Sequence, residues 1–162
     1  MEFIKENYRL TVEEDSEGFD INLYQINDAV SPLIYLNLKP LNTIDTEFDD
    51  KLQVRDIPRQ LFNDGDYYQS SATKYNKSEP FKKISLLDIV HTILLENKAG
   101  LKKIKRIFSS SLNCYQEENF ITEDAKRFWE KQFAKNPNVP IFYFEDDKRY
   151  YLLLEQNQSQ EI

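Results

Sequence analysis

The sequence contains little of what most metal and disulfide sites need. Its 162 residues include one cysteine, Cys114, and one histidine, His91. One cysteine cannot form an internal disulfide, and one cysteine with one histidine cannot supply a multi-His or Cys-rich zinc site. The sequence therefore predicts no metal and a reducing, cytoplasmic environment.

Long apolar runs and excess positive charge are also missing. No window approaches the roughly 20 apolar residues of a membrane-spanning helix, and the opening stretch, MEFIKENYRLTVEED, lacks the apolar core of a signal peptide. The formal net charge is -7. Because neutralising phosphates requires clustered Lys and Arg, this balance argues against broad nucleic-acid or membrane-surface binding, with KKIKR at 102–106 the strongest basic run.

The apolar content is that of a folded protein. Hydrophobic residues make up 40% of the chain and aromatic residues 14%, which places it among globular proteins rather than disordered acidic chains. The length fits one domain. We expect a single domain over residues 1–155 and a flexible tail over 156–162.

The first half of the chain predicts strands. Residues 8–14 and 19–26 are rich in aromatic and β-branched residues and flank Gly18, which predicts a β-hairpin. Residues 32–41 are apolar on both faces and predict an interior strand. The pattern then weakens, and only a short helix over 58–63 is indicated.

The second half alternates helices and strands. It predicts a helix over 84–98, a strand over 103–109, an amphipathic helix over 122–134 and a closing hairpin over 139–154. Such alternation indicates a sheet covered by helices, with at least one parallel pair of strands. The predicted fold class is α/β (α+β).

The stretch AKRFWEKQ, residues 125–132, carries the most specific motif. Its A-x-x-F-W-E-K pattern resembles the A-x-x-F-Y-E-K helix of the GNAT-type acyl-CoA N-acyltransferases, and the resemblance extends over about residues 70–155. It implies a mixed, mostly antiparallel sheet with helices on both faces. It also implies transfer of an acetyl or acyl group from CoA to an amine.

The same resemblance implies a CoA site in two loops. The family holds the pyrophosphate in a glycine-rich loop before a helix, where amide groups approach the phosphates. The corresponding loop here, residues 74–85, has no glycine. Lysines and serines lie in the first implied loop, and serines and an asparagine lie in the second, at 109–113. The candidate residues are Lys77, Ser78, Lys82, Lys83, Ser109, Ser110 and Asn113.

Trp129 stands where many family members place the tyrosine that protonates the leaving thiolate. An indole N–H is not a general acid at ordinary pH, so Tyr115 in the preceding loop is the candidate proton donor. Packing alone also explains the pattern, because Ala125, Phe128, Trp129 and Phe133 have the spacing of one helix face.

Two interpretations of function remain open. One is the CoA-dependent N-acyltransferase. The other is a non-catalytic acidic module on the same fold, of the phage or mobile-element inhibitor type, that binds a basic protein partner. His91 is either a core histidine or a general base, and the acidic run over 45–50 is either a solvated loop or a surface for a cationic group.

Overall fold

The structure is a computed structural model that describes residues 1–28, 30–41, 67–74, 86–109, 123–136, 138–144 and 149–154. The chain belongs to the α+β class, with an eight-stranded, mostly antiparallel sheet in the order β1-β2-β3-β4-β5-β6-β8-β7. The strands are β1 (Glu2–Lys5), β2 (Tyr8–Asp15), β3 (Gly18–Gln25), β4 (Ile34–Pro40), β5 (Tyr67–Lys74), β6 (Arg106–Phe108), β7 (Ile141–Phe144) and β8 (Arg149–Leu153). The described helices are α1 (Leu86–Glu96) and α2 (Glu123–Phe133). Neither is long and apolar enough to cross a membrane.

The chain divides into two compact units, Met1–Lys39 with Ser70–Leu101, and Pro40–Gln69 with Lys102–Ile162. The first unit contains the antiparallel ladder β1 to β4 and helix α1. Alternate strand residues enter its core, as a period of two requires. Those fully or almost fully buried are Leu10, Val12, Phe19, Ile21, Leu23, Ile34, Leu36 and Leu38, together with Leu86, Val90, Ile93 and Leu94 of α1.

The second unit contains the parallel part of the sheet. Strand β6 pairs in parallel with β5 and antiparallel with β8, and β8 forms a hairpin with β7. Its core includes Phe108 and Leu41, which pack against Tyr67, Phe144 and Tyr151. The order β5-β6-β8-β7 places the later hairpin strand, β8, beside β6.

Most of the predicted elements are present. The β2–β3 hairpin, strand β4, both helices and the closing hairpin β7–β8 lie where the hydrophobic patterns put them. The α+β class and the mostly antiparallel sheet are therefore confirmed. The short helix predicted over 58–63 and the tail over 156–162 lie outside the described residues, as does the acidic run over 45–50.

The strand predicted over 103–109 is wrong in its extent. Strand β6 begins at Arg106 and ends at Phe108, while Lys102 and Lys103 lie in a turn. Leu101 and Ile104 are buried on either side of this turn. Most of the KKIKR run, residues 102–105, therefore precedes the strand.

Strands β1 and β5 were not predicted. Strand β1, EFIK, is short and carries a charge at each end, and β5, YYQSSATK, is mostly polar after its two tyrosines. Neither has the apolar alternation that identifies a strand by sequence. Both are held by pairing with a neighbouring strand.

Candidate functional site

The candidate site lies in the second unit, at the carboxyl end of β6, where its parallel ladder with β5 ends. Their ladder joins Tyr67, Tyr68 and Gln69 to Arg106, Ile107 and Phe108. The carboxyl ends of parallel strands are where sheets of mixed α/β proteins most often bind ligands. Three buried polar residues, Gln69, Ser109 and Arg149, meet at this edge.

Ser109 follows β6 directly and is 1% exposed. Its N–H donates to the carbonyl oxygen of Tyr150 at 2.8 Å, and its Oγ accepts from the N–H of Tyr150 at 3.0 Å. The hydroxyl oxygen therefore takes the place that a main-chain carbonyl fills in a regular antiparallel ladder. This substitution leaves the Ser109 carbonyl oxygen able to accept a hydrogen bond from a side chain.

Arg149, the first residue of β8, provides that hydrogen bond. Its Nη1 donates to the Ser109 carbonyl oxygen at 3.2 Å and also to Oε1 of Gln69 in β5. Arg149 is 2% exposed, which is rare for an arginine and requires such partners. Since β6 lies between β8 and β5, Arg149 reaches across the end of β6 and joins the strands on either side of it.

The sheet face that carries Arg149 is also lined by aromatic rings. Because opposite residues share a face, Gln69, Phe108 and Tyr151 lie on one face with Arg149. The Phe108 and Tyr151 ring centroids are 4.9 Å apart. At the start of the ladder, the Arg106 guanidinium stands 4.8 Å from the Tyr67 ring centroid and 5.1 Å from that of Tyr151. Two arginines therefore stabilise the two ends of this short parallel ladder.

Helix α2 contributes Trp129 to the core rather than to an exposed site. Trp129 is 2% exposed, and its ring meets that of Phe128 edge-on at 5.8 Å. The packing interpretation of this tryptophan is confirmed. The prediction that Phe133 shares the buried face is wrong, since Phe133 is 41% exposed and Gln132 is 5% exposed. The buried residues Trp129 and Gln132 and the partly buried Ala125 follow the i, i+4, i+7 spacing of one helix face.

His91 is a core residue of the first unit. It is 3% exposed, and burial lowers its pKa to about 3. The imidazole is therefore neutral at physiological pH and too weak a base for general-base catalysis there. The core interpretation accounts for it.

Of the residues predicted to bind CoA, the structure describes Ser109. The others, Lys77, Ser78, Lys82, Lys83, Ser110 and Asn113, lie outside the described residues, as does the candidate proton donor Tyr115. The binding role of Ser109 stays a prediction. In the structure its N–H, carbonyl and hydroxyl oxygen all hold the end of β6 in place.

Sequence reasoning missed Arg149 and Gln69. Arg149 follows EDDK in the predicted hairpin, and a charged residue in such a run is usually part of a solvated turn. Gln69 lies in the strand that was not predicted. A weak signal did exist: Arg149 precedes the apolar run YYLLL directly and so had to lie at the start of a strand.

Among the residues that the structure describes, no group of three or more His, Cys, Asp or Glu side chains could hold a metal ion. No protein-family model matches the chain, and no curated protein matches it. The function must therefore be argued from the fold and the site.

Proposed function

We propose that the chain is a diverged GNAT-like protein of the cytoplasm that binds CoA or acetyl-CoA at the carboxyl end of β6. The observation that supports this most is the parallel pair β5–β6 within a mostly antiparallel sheet, followed by α2 and by a hairpin whose second strand pairs with β6. That is the arrangement the family resemblance implies for the second half of the chain.

The proposed reaction is acyl transfer to an amine. The amine nitrogen attacks the thioester carbonyl carbon, the C–S bond breaks, and the nitrogen loses a proton while the thiolate gains one. Trp129 cannot supply that proton, because its indole is not acidic and is buried. Tyr115 is the proposed donor. Lys77, Lys82 and Lys83 are proposed to meet the CoA phosphates as point charges, because the loop lacks the glycines of an amide nest.

The test is a thermal-shift titration with acetyl-CoA and free CoA. A ligand that binds only the folded state stabilises it by mass action and so raises the melting temperature. The added stability is about 2.7 kcal/mol when the ligand concentration is one hundred times the dissociation constant. We expect a rise of several degrees, and no shift at millimolar CoA would contradict the proposal. The double substitution K82E/K83E should weaken binding at least about tenfold. The matched change K98E/K102E, in exposed residues beyond α1, should not.

A second candidate function is an acidic module that binds a basic protein. Its support is the tip of the β2–β3 hairpin, which presents the exposed residues Glu13, Glu14, Asp15 and Glu17. An exposed acidic surface attracts cationic partners and speeds their association. This candidate predicts no thermal shift with CoA, and salt-sensitive binding to a basic protein that the substitutions E13K and E17K weaken.

A further inference from the structure

The face of the β1–β4 sheet that lies opposite its core carries residues that are rare in strands. Ile21 and Leu23 of β3 are buried, so Asp20 and Asn22 lie on the other face. Asn37 of β4 pairs with Asp20 and shares that face. Asp and Asn are among the residues least favoured in strands, and sequences depart from such local preferences mostly at functional or strained sites. Three of them on one face therefore point to a function for this face.

One group of side chains on this face is held together by hydrogen bonds. The Asp20 carboxylate accepts from the Tyr35 hydroxyl and, at 3.0 Å, from Asn37 Nδ2. The hydrogen bond from Tyr35, and to a smaller extent that from Asn37, lowers the pKa of Asp20, which is therefore ionised at neutral pH. The carboxylate is thus fixed in position before any ligand binds.

A second group lies on the other side of Asn22. Arg9 of β2 donates to Glu2 at 3.1 Å, and its guanidinium carbon lies 4.3 Å from the Tyr24 ring centroid. Tyr24 follows Asn22 by two residues in β3, and Asp20 precedes it by two. Because successive residues on one face of a strand are about 7 Å apart, the two groups flank Asn22 on both sides.

The space between the two groups has a short, polar floor. Asn22 and Thr11 are directly opposite each other in the β2–β3 ladder, and both are half-buried. Neither side chain makes a hydrogen bond within the part of the chain that the structure describes. Since both are shorter than Arg9, Tyr24 and Tyr35 around them, they form the floor of a shallow depression, the Asn22 basin. This floor offers an amide and a hydroxyl group to a ligand.

From this arrangement we infer that the Asn22 basin binds one pyranose ring of a carbohydrate. Each sugar hydroxyl both donates and accepts hydrogen bonds. The Asn22 amide and the Thr11 hydroxyl also do both, whereas the Asp20 carboxylate accepts and the Arg9 guanidinium donates. The Tyr24 ring adds apolar surface, against which the C–H groups of a sugar can pack.

An anionic ligand fits the basin less well. The charged side chains of this face, in the described strands β1–β4, are the carboxylates of Glu2, Glu13, Asp15 and Asp20 and the cations of Arg9 and Lys39. The face is therefore negative on balance and repels phosphate groups. A neutral sugar is not subject to this repulsion.

This inference is independent of CoA binding, because no residue of the basin belongs to the loops proposed for CoA. The probes are the methyl pyranosides of glucose, galactose, mannose and N-acetylglucosamine, each titrated into the ¹⁵N-labelled whole chain. We expect at least one of them to shift the Asn22 side-chain amide signal and the main-chain signals of Thr11 and Tyr24, and to reach saturation. Glycerol at the same concentration should not, because it has hydroxyls but no ring. The 6-phosphate of the sugar that binds should bind more weakly.

Substitutions on the floor of the basin separate binding from stability. Asn22→Val should weaken binding at least about tenfold, since it removes a donor and an acceptor. It should also keep the protein folded and raise its melting temperature, because valine is favoured in strands. Thr11→Val should weaken binding about threefold or more.

Thr92→Val is the matched control for Thr11→Val. The Thr92 hydroxyl donates to the Asp88 carbonyl oxygen within α1 at 2.8 Å. Its loss should therefore leave sugar binding unchanged.

Four results would overturn the inference. None of the four glycosides could shift the Asn22 side-chain signal, or glycerol could shift it as strongly, which would leave only a general effect of polyols. The sugar phosphate could bind more tightly than the sugar, which would make the ligand an anion held by Arg9. Asn22→Val could lower the melting temperature and binding together, which would make Asn22 a structural residue. Thr92→Val could weaken binding as much as Thr11→Val, which would remove the site from the basin.

Discussion

The Nη1 atom of Arg149 lies 3.2 Å from the carbonyl oxygen of Ser109 and donates a hydrogen bond to it. Both residues are buried, with Arg149 2% and Ser109 1% exposed. The same atom donates to Gln69, on the far side of β6. The charged side chain of Arg149 thus links the neighbouring strands at the end of β6, as main-chain hydrogen bonds link them along its length.

The first prediction concerns this arginine. Arg149→Met keeps the length of the side chain but leaves the Ser109 carbonyl and the Gln69 amide oxygen buried without this donor. We expect a loss of about 2–4 kcal/mol in the free energy of unfolding, measured by urea denaturation. Arg149→Lys should recover part of it, because one ammonium cannot reproduce the planar guanidinium.

Arg9 provides the control for Arg149. It stands 4.3 Å from the Tyr24 ring centroid and pairs with Glu2, but at a partly exposed position. Arg9→Met should cost less than about 1 kcal/mol. Equal losses for the two substitutions would show that the Arg149 contacts do not matter more than a surface pair.

A second prediction concerns Gly18, the first residue of β3. Its φ is +139°, and a Cβ atom added there would lie 1.9 Å from the carbonyl oxygen of Leu38 in β4. Gly18→Ala should therefore cost at least about 3 kcal/mol or prevent folding. At Gly100, a Cβ would meet nothing within 4 Å among the described residues.

Gly100→Ala is the matched control for Gly18→Ala. It should leave the melting temperature unchanged or raise it slightly, because alanine reduces the freedom of the unfolded chain. Similar melting temperatures for the two variants would contradict the close approach of Gly18 to Leu38.

These two glycines show how far sequence reasoning reached. Gly18 was identified from its place between two strand-like segments, and the hairpin it predicted is present. The requirement for glycine comes from Leu38, which is twenty residues away and in a strand whose register the sequence does not determine. The turn could be predicted from neighbouring residues in the sequence, whereas the close contact with Leu38 could not.

The same limit applies to the candidate site. Helix α2 was predictable because its buried residues recur at helical spacing. Arg149 and Gln69 are brought together by pairings β5–β6 and β6–β8, between segments far apart in the chain. Residue type alone does not indicate that Arg149 is buried, because arginine is seldom found in a core.

A third prediction concerns His91 and pH. Its pKa is about 3 in the folded protein and about 6.5 in the unfolded chain, so between these values the unfolded state binds more protons. The free energy of unfolding should therefore fall as pH falls below about 6.5, by up to about 1.4 kcal/mol per pH unit from this residue alone. Stability above pH 7 should not depend on its titration.

The test is to measure the free energy of unfolding of the wild type and of His91→Leu at steps of roughly one pH unit between about pH 4 and about pH 8. The carboxylates titrate in both proteins and cancel in the difference. The wild type should lose stability faster than the variant on acidification. Parallel curves would contradict a buried, neutral His91.

A fourth prediction concerns Asp20, which accepts hydrogen bonds from the Tyr35 hydroxyl and from Asn37 Nδ2, the latter at 3.0 Å. The hydrogen bond from Tyr35, and to a smaller extent that from Asn37, lowers the pKa of Asp20. The stability they provide is present above the ordinary pKa of about 4 and is lost as pH falls through the lowered value.

Tyr35→Phe should therefore cost about 1 kcal/mol at pH 7 and less at the lowest pH where the protein stays folded. Tyr24→Phe, on the same sheet face, keeps the ring over which Arg9 lies and should have little effect at either pH. A cost for Tyr35→Phe that does not change with pH would show that the hydroxyl does not favour the ionised carboxylate.

The most direct test of the central claim is to map CoA on the protein by amide chemical shifts in ¹⁵N spectra. We predict that the largest shifts induced by CoA fall at Gln69, Ser109 and Tyr150, around the carboxyl end of β6. Shifts confined to strands β1–β3, or no shifts at millimolar CoA, would contradict it.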